Sequence, residues 1–123
     1  MAHKILIVDD EPNIVLSLEF LMKREGFQVM VAADGDAALE QVAAFGPDLV
    51  LLDVMMPKKS GYEVCEILRA DPERAGMKIV MLTAKGRDTE AAKGMALGAD
   101  AYVTKPFSTK DLVVQVKSLL SGA

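Results

Sequence analysis

The sequence predicts an α/β fold, a doubly wound (βα)5 sandwich in which helices cover both faces of a parallel five-stranded sheet. Two observations support this prediction. Five short apolar runs recur along the 123 residues, and each is followed by a segment in which apolar residues recur with the period of a helix. Short connections between such units favour right-handed crossovers, so the strands are expected to lie parallel.

The five predicted strands are short and rich in valine, isoleucine and leucine. The first four are continuously apolar rather than alternating, which is typical of strands that are covered on both faces. The fifth is the shortest, and we expect it at an edge of the sheet. The runs are "ILIV" (5–8), "VMVA" (29–32), "LVLL" (49–52), "IVML" (79–82) and "AYV" (101–103).

The helical segments carry start and stop signals. Pro12 suits the first turn of the first helix, and Ser108 is suited to cap the last one. The second helix is expected to end at Gly46 and Pro47. The fourth segment, 88–98, contains mostly small residues and an interior glycine, which costs a helix about 1 kcal/mol relative to alanine. We therefore expect this segment to be the most loosely packed part of the fold.

Length and composition favour a single domain spanning residues 1–123. Hydrophobic residues make up 51% of the chain, but no run approaches the roughly 20 apolar residues that cross a bilayer. A single cysteine, Cys65, excludes an internal disulfide framework and is typical of a reducing compartment. The net charge of −4 argues against a nucleic-acid-binding surface. We therefore expect a cytoplasmic domain without membrane or direct nucleic-acid partners.

Polar residues follow four of the five predicted strands. Because the carboxyl ends of parallel strands meet at one rim of the sheet, we expect these side chains to share a small space. The residues are Asp9, Asp10, Asp53, Thr83 and Lys105. A hard cation such as Mg²⁺ prefers oxygen ligands and would neutralise the three carboxylates. The same set suits phosphoryl transfer to Asp53, with the cation, Lys105, and Thr83 or nearby backbone amides at the phosphoryl oxygens.

Each of these residues also has an ordinary structural interpretation. An aspartate after a strand is often a helix cap, a threonine at a strand end is usually structural, and a lysine before proline is usually a solvated loop residue. Their joint occurrence at successive strand ends is far less expected by chance than any one of them. That joint occurrence favours a functional site.

Four motifs resemble those of the receiver domain of bacterial two-component response regulators: "VDDE", "LLDVMMPKKSG", "MLTA" and "KPF". The resemblance covers essentially the whole chain and extends to the spacing. Thr83 lies 30 residues after Asp53, Tyr102 lies another 19 on, and Lys105 follows three residues later. The resemblance implies a flavodoxin-like, chemotaxis-regulator-like fold with strand order 2-1-3-4-5.

The resemblance implies that Asp53 is phosphorylated by the phosphohistidine of a sensor histidine kinase or a histidine phosphotransfer protein. It also implies that Asp10 and Asp53 bind Mg²⁺ directly, with Asp9 acting nearby, largely through water. Met55 matches the position whose backbone carbonyl completes the metal site. Its side chain and that of Lys85 are expected to line the approach to the phosphoryl group, where an apolar Met55 would hinder hydrolysis and Lys85 would attract the incoming phosphate.

Thr83 and Lys105 match the residues that engage the phosphoryl oxygens, and Tyr102 matches the aromatic residue that turns inward when Thr83 moves. The Lys105–Pro106 bond corresponds to a bond that is cis in the family. These correspondences imply a switch in which phosphorylation changes a protein-interaction face within segment 88–121. That face is expected to act on a downstream protein or an effector domain.

Two other functions compete with this switch. A Mg²⁺-dependent small-molecule phosphatase or phosphotransferase with an aspartate nucleophile would use the same strand ends, but such enzymes typically carry D-x-D on the nucleophile's strand. Here Asp53 is followed by "VMMP", and no insertion is long enough to cap a substrate pocket. The complete acidic set argues against an inert relative of receiver domains. The prediction is therefore a switch, not an enzyme beyond its own phosphoryl transfer and dephosphorylation.

The sequence leaves the output of the switch open between a free-standing regulator and a receiver from a longer protein. Receivers of the winged-helix transcription-factor subfamily usually carry a pair of aspartates before the switch tyrosine and an arginine in the last helix. This sequence has Asp100–Ala101 and Gln115 at those positions. These differences favour a free-standing or non-winged-helix member.

Overall fold

The computed structural model describes residues 3–56, 58–84 and 88–121, in which five strands alternate with five α-helices. The strands are β1 (Lys4–Val8), β2 (Gln28–Ala32), β3 (Leu49–Asp53), β4 (Lys78–Ala84) and β5 (Ala101–Lys105). The helices are α1 (Pro12–Arg24), α2 (Gly35–Phe45), α3 (Gly61–Ala70), α4 (Asp88–Ala96) and α5 (Thr109–Leu120), and a short 3₁₀ turn (Pro72–Arg74) precedes β4. None of the helices in the described ranges has the length and hydropathy of a membrane span.

All five strands are parallel, in the order β2-β1-β3-β4-β5. The predicted doubly wound sandwich and strand order are confirmed. The register pairs Asp53 with Leu82 and Thr83 with Thr104, so the carboxyl ends of β3, β4 and β5 lie along one rim. This rim is where ligands bind in open α/β sheets.

Two hydrophobic cores lie on opposite faces of the sheet. Ile5 and Ile7 of β1 pack with α1 and α5, whereas Leu6 and Val8 pack with α2 and α3. Successive residues of a strand point to opposite faces, so one continuously apolar strand serves both cores. Cys65 is buried in the second core, and burial raises the pKa of its thiol. This environment suits a structural thiol.

The prediction that β2 is covered on both faces was wrong. Its residues alternate in exposure along the strand, and Met30 is exposed whereas Ala32 is buried. The strand lies at an edge, where the flanking helices cover it less completely. Because a run of four apolar residues is compatible with either position, the strand order and not the run decided the exposure. β5 lies at the other edge, as predicted.

Helix boundaries follow the local signals closely. Ser108 caps α5 by accepting a hydrogen bond from the backbone N–H of Asp111, as predicted. Gly46 ends α2 with a positive φ of 64°, which a glycine adopts without strain. Ser60 and Glu63 form a reciprocal capping box at the start of α3, which fixes the end of the loop from β3.

The glycine inside α4 has a packing role that its sequence context did not reveal. Gly94 is buried, and a Cβ at this position would lie 3.0 Å from Cγ of Met81. A Cβ here would require the Met81 side chain to shift by a few tenths of an ångström.

One end of segment 88–98 is also tied firmly to the rest of the fold. The guanidinium of Arg69, on α3, donates hydrogen bonds to the carbonyl oxygens of Gly98 and Met77, each at 2.7 Å. It also pairs with the carboxylate of Asp100, which accepts a hydrogen bond from the backbone N–H of Ile79. The corner between α4 and β5 is therefore anchored to α3 and β4.

Candidate functional site

The carboxyl ends of β1 and β3 place three carboxylates next to one another. Asp9 and Asp10 follow β1, Asp53 is the last residue of β3, and the two strands are neighbours in the sheet. One carboxylate oxygen from each of the three residues lies within 4.8 Å of the other two. The cluster opens into a cavity of about 350 Å³. The cavity lining includes Asp10, Glu11, Asp53, Met55, Leu82 and Lys105.

A lysine from the far edge of the sheet completes the cluster. The Nζ atom of Lys105, at the end of β5, lies 2.8 Å from Oδ2 of Asp9 and 3.4 Å from Oδ1 of Asp53. The Lys105–Pro106 bond is cis, as the resemblance implied. The structure therefore brings together four of the polar strand-end residues: two acids from the end of β1, one from β3 and the lysine from β5.

Asp9 is the most deeply buried of the acids, with 1% of its surface exposed. Both of its carboxylate oxygens have donors. Oδ1 accepts a hydrogen bond from the backbone N–H of Glu11 at 2.9 Å, and Oδ2 accepts one from Lys105. A buried charge is tolerated when it is paired and hydrogen-bonded in this way. The first residue of the acidic pair is thus the principal partner of the lysine.

Asp53 lies in a strongly anionic environment. Burial raises the pKa of its carboxyl to about 6, and the negative charge of Asp9 adds to this effect, while Lys105 opposes it. For Lys105, burial lowers the pKa, but the hydrogen bond to Asp9 and the charges of both acids outweigh burial and raise the pKa. Among the described residues, three carboxylates thus face one ammonium group, and the excess negative charge suits a divalent cation. Carboxylate oxygens are the ligands that Mg²⁺ prefers, so the donor set fits this ion.

Replacing Asp53 with asparagine is expected to raise the free energy of unfolding by about 1–2 kcal/mol at neutral pH without divalent cations. Folding raises the pKa of Asp53 from 3.8 to about 6, so it disfavours the charged carboxylate. This penalty is complete above about pH 6, shrinks as the pH falls toward 3.8, and is absent below that. Urea unfolding in EDTA across this range measures the difference. If the greater stability of Asp53→Asn did not shrink at acidic pH, the raised pKa of Asp53 would not be its cause.

The two residues of the predicted switch lie on neighbouring strands. Thr83, near the end of β4, is buried. It follows Leu82, which lines the cavity. Tyr102, on β5, has 46% of its surface exposed and therefore points away from the core. Inward rotation of Tyr102 stays a prediction, but the observed outward position is the starting point that it requires.

Met55 lines the cavity and is exposed at its mouth, so its side chain lies where the sequence placed it. Its proposed effect on hydrolysis stays a prediction. Lys85, the other side chain expected at this approach, lies outside the described residues.

The sequence interpretation assigned no role to two glycines that make close contacts, one of them with the acceptor residue. Gly61 starts α3, and its N–H donates to the carbonyl of Val54 at 2.9 Å. A Cβ on Gly61 would lie 2.2 Å from the carbonyl oxygen of Asp53. A Cβ on Gly35, at the start of α2, would lie 2.5 Å from Cβ of Lys59. Gly61 is the last residue of the motif "LLDVMMPKKSG", so the sequence marked it as a motif residue. The sequence did not indicate that Gly61 lies close to the backbone of Asp53.

A doubly wound sheet with three carboxylates and a lysine at its carboxyl rim defines an α/β protein suited to bind a cation and an anionic group. The family assignment is more specific: the chain belongs to the response regulator receiver domain family, whose model matches residues 5–117. Receiver domains are signalling switches rather than classical enzymes, and the alternative of a small-molecule phosphatase is not favoured.

Solved structures with similar folds support this assignment. A chain described as a response regulator from Chloroflexus aurantiacus has 36% identity and a TM-score of 0.95, with 98% of this chain and 99% of that chain covered. The signal receiver domain of a signal transduction histidine kinase from Syntrophus aciditrophicus has 32% identity and a TM-score of 0.91, covering 99% and 92%. The chemotaxis response regulator CheY4 of Vibrio cholerae has 28% identity and a TM-score of 0.90, covering 97% and 99%.

Proposed function

We propose that Asp53 accepts a phosphoryl group from the phosphohistidine of a sensor histidine kinase or a histidine phosphotransfer protein. The observation that carries this proposal is the meeting of Asp53, two further acids and Lys105 at one solvent-open cavity. The acceptor domain comprises residues 1–123 in this proposal. Phosphorylation then changes a surface that contacts a downstream protein or an effector domain.

The transfer needs only atoms that the site and the donor supply. A carboxylate oxygen of Asp53 forms a bond to phosphorus as the P–N bond of the phosphohistidine breaks. The electron pair of that bond leaves with the imidazole, which takes up a proton. Lys105 donates to one phosphoryl oxygen, and the Thr83 hydroxyl or a backbone amide donates to another. These donors stabilise the negative charge on the phosphoryl oxygens and hold the phosphoryl group in line with the attacking oxygen.

Asp10, Asp53 and the backbone carbonyl of Met55 would hold a Mg²⁺ ion, with Asp9 acting largely through water. When bound, this ion supplies the positive charge that neutralises the carboxylates and a phosphoryl oxygen. The residues of the chain position the acceptor, because Asp53 is the terminal residue of a strand buried along its whole length. A rigid strand end keeps the attacking oxygen within reach of the cavity.

An exposed apolar surface on α1, the helix that begins at the rim, supports docking of a protein donor. Leu16 and Phe20 are 67% and 68% exposed and lie one turn apart on α1, which begins at the rim. Met55 adds an exposed apolar side chain at the mouth. Adjacent exposed apolar side chains of this size are typical of interaction sites.

The output surface is proposed to lie within segment 88–121. Met95, Tyr102 and Val114 expose apolar surface on α4, β5 and α5 respectively. Phosphorylation adds about one further negative charge and new acceptor oxygens beside Thr83. Movement of Thr83 toward these oxygens would leave space that Tyr102 fills from its outward position. This is a two-state element biased by a local change in charge.

Labelling with acetyl phosphate and Mg²⁺ tests the proposal. Intact-mass analysis is expected to show one added phosphoryl group on the native chain and none on Asp53→Asn. Asp111→Asn, which removes an exposed acid on α5, is the matched control and should be labelled normally. Labelling of Asp53→Asn would contradict the assignment of the acceptor. Repeated turnover of small phosphate esters would instead support the phosphatase alternative.

A further inference from the structure

We infer that Glu11 slows phosphorylation of Asp53 by small anionic phosphodonors through charge repulsion, a penalty that a docked protein donor would offset; this inference rests on the proposed function. Glu11 lies at the mouth of the cavity, between Asp10 and the first turn of α1. Its backbone is fixed, because its N–H donates to Oδ1 of the buried Asp9. The residue is therefore held at the entrance rather than free to leave it.

Within the part of the chain that the structure describes, the carboxylate of Glu11 has no hydrogen-bond or ion-pair partner. Glu11 is the N-cap residue of α1, but its side chain makes no capping hydrogen bond. It is exposed, and among the described residues it forms no ion pair within 4.0 Å. A carboxylate with no structural partner at the edge of an anionic cavity contributes its charge mainly to the electric field at the entrance.

The described residues around the cavity keep a net negative charge even when a divalent cation is present. Of the residues that the structure describes, Glu11 adds a fourth carboxylate to Asp9, Asp10 and Asp53, and Lys105 is the cation beside them. A divalent ion and the ammonium together balance three of these four charges. An incoming phosphate anion therefore meets residual repulsion, which grows with its own charge and weakens with ionic strength.

A protein donor has a compensating interaction that a small donor lacks. Leu16 and Phe20 are exposed on α1, the helix that begins directly after Glu11. A protein that covers this apolar pair gains binding free energy that offsets the repulsion of its phosphoryl group. Acetyl phosphate and phosphoramidate make no such contact. The repulsion from Glu11 therefore remains uncompensated for a small donor, whereas a protein donor offsets it through this contact.

The test measures second-order rate constants for Asp53 phosphorylation by small donors at saturating Mg²⁺. Acetyl phosphate is a dianion that releases acetate with the electron pair of its P–O bond, and phosphoramidate carries less net negative charge and releases ammonia. At low ionic strength, Glu11→Gln is expected to react about twofold to fivefold faster than the native chain with acetyl phosphate. The increase should be smaller with phosphoramidate and should fall toward one at high ionic strength.

Glu40→Gln is the matched control, because it makes the same change in net charge at an exposed position on α2. It is expected to leave both rate constants within experimental error of the native values. Equal rates for Glu11→Gln and the native chain, or the same increase in Glu40→Gln, would overturn the inference. An increase that was identical for both donors and insensitive to salt would also overturn it. If none of the three proteins were labelled, the proposed acceptor role of Asp53 would itself fail.

Discussion

Lys105→Met is expected to lower the free energy of unfolding by about 3 kcal/mol at neutral pH in the absence of divalent cations. The substitution leaves the carboxylate of Asp9, whose side chain is 0% exposed, without its ammonium partner at 2.8 Å. Breaking a buried ion pair by removing one partner costs more than the pair contributes, because the remaining charge is desolvated and uncompensated. Urea unfolding of the native and variant chains in EDTA measures this difference.

The pH and Mg²⁺ dependence of the same variant separate this cause from a general loss of packing. Folding raises the pKa of Lys105 above its ordinary value of 10.5, so its stabilising contribution is fully present at neutral pH and is lost only at strongly alkaline pH. Millimolar Mg²⁺ is expected to restore part of the stability of Lys105→Met, because a bound cation replaces the missing positive charge. Phosphorylation by acetyl phosphate should remain severely slowed even in Mg²⁺.

Two further variants serve as controls for Lys105. Lys110→Met, which removes an exposed lysine on α5, is expected to change stability by no more than about 0.5 kcal/mol. The double variant Asp9→Asn/Lys105→Met should be more stable than Lys105→Met alone, because it removes the unpaired buried charge. Additive effects in the double variant would show that the two side chains do not act as a pair.

Gly61→Ala is expected to destabilise the protein by about 3 kcal/mol and to impair phosphorylation of Asp53. The added Cβ would lie 2.2 Å from the carbonyl oxygen of Asp53 and 2.9 Å from Cα of Val54. Both contacts are with backbone, so neither can be relieved by rotation of a flexible side chain. Relief requires the start of α3 to move away from the end of β3, which displaces the acceptor carboxylate. Unfolding in urea and the rate of labelling by acetyl phosphate are the two measurements.

Gly76→Ala is the matched control for this prediction. A Cβ at Gly76 meets no heavy atom within 4 Å, and its backbone does not adopt a positive φ. The free energy of unfolding of Gly76→Ala should be unchanged or raised by about 0.5 kcal/mol, because alanine reduces the conformational freedom of the unfolded chain. If both glycine variants lost the same stability, the close approach at Gly61 would not be the cause.

Local patterns in the 123-residue sequence predict its secondary structure and its candidate site residues. Strands buried on both faces must be continuously apolar, and helices need caps and an apolar stripe. The apolar runs therefore predicted the strands, and Ser108 and Gly46 predicted two helix ends. The sequence also predicted that the aspartates and Lys105 lie close together, because the carboxyl ends of parallel strands lie at one rim of the sheet. The strand order and the cis bond followed from resemblance rather than from local pattern.

Only the tertiary structure decided which of these residues touch and at what electrostatic cost. Asp9 and Lys105 are 96 residues apart, and their pairing depends on how two strands at different positions in the sheet align. The raised pKa of Asp53, the exposure of β2, and the contact that requires glycine at position 61 likewise arise from distances between segments. Local sequence patterns constrain the conformation of a segment, whereas packing between segments sets burial, charge pairing and steric fit.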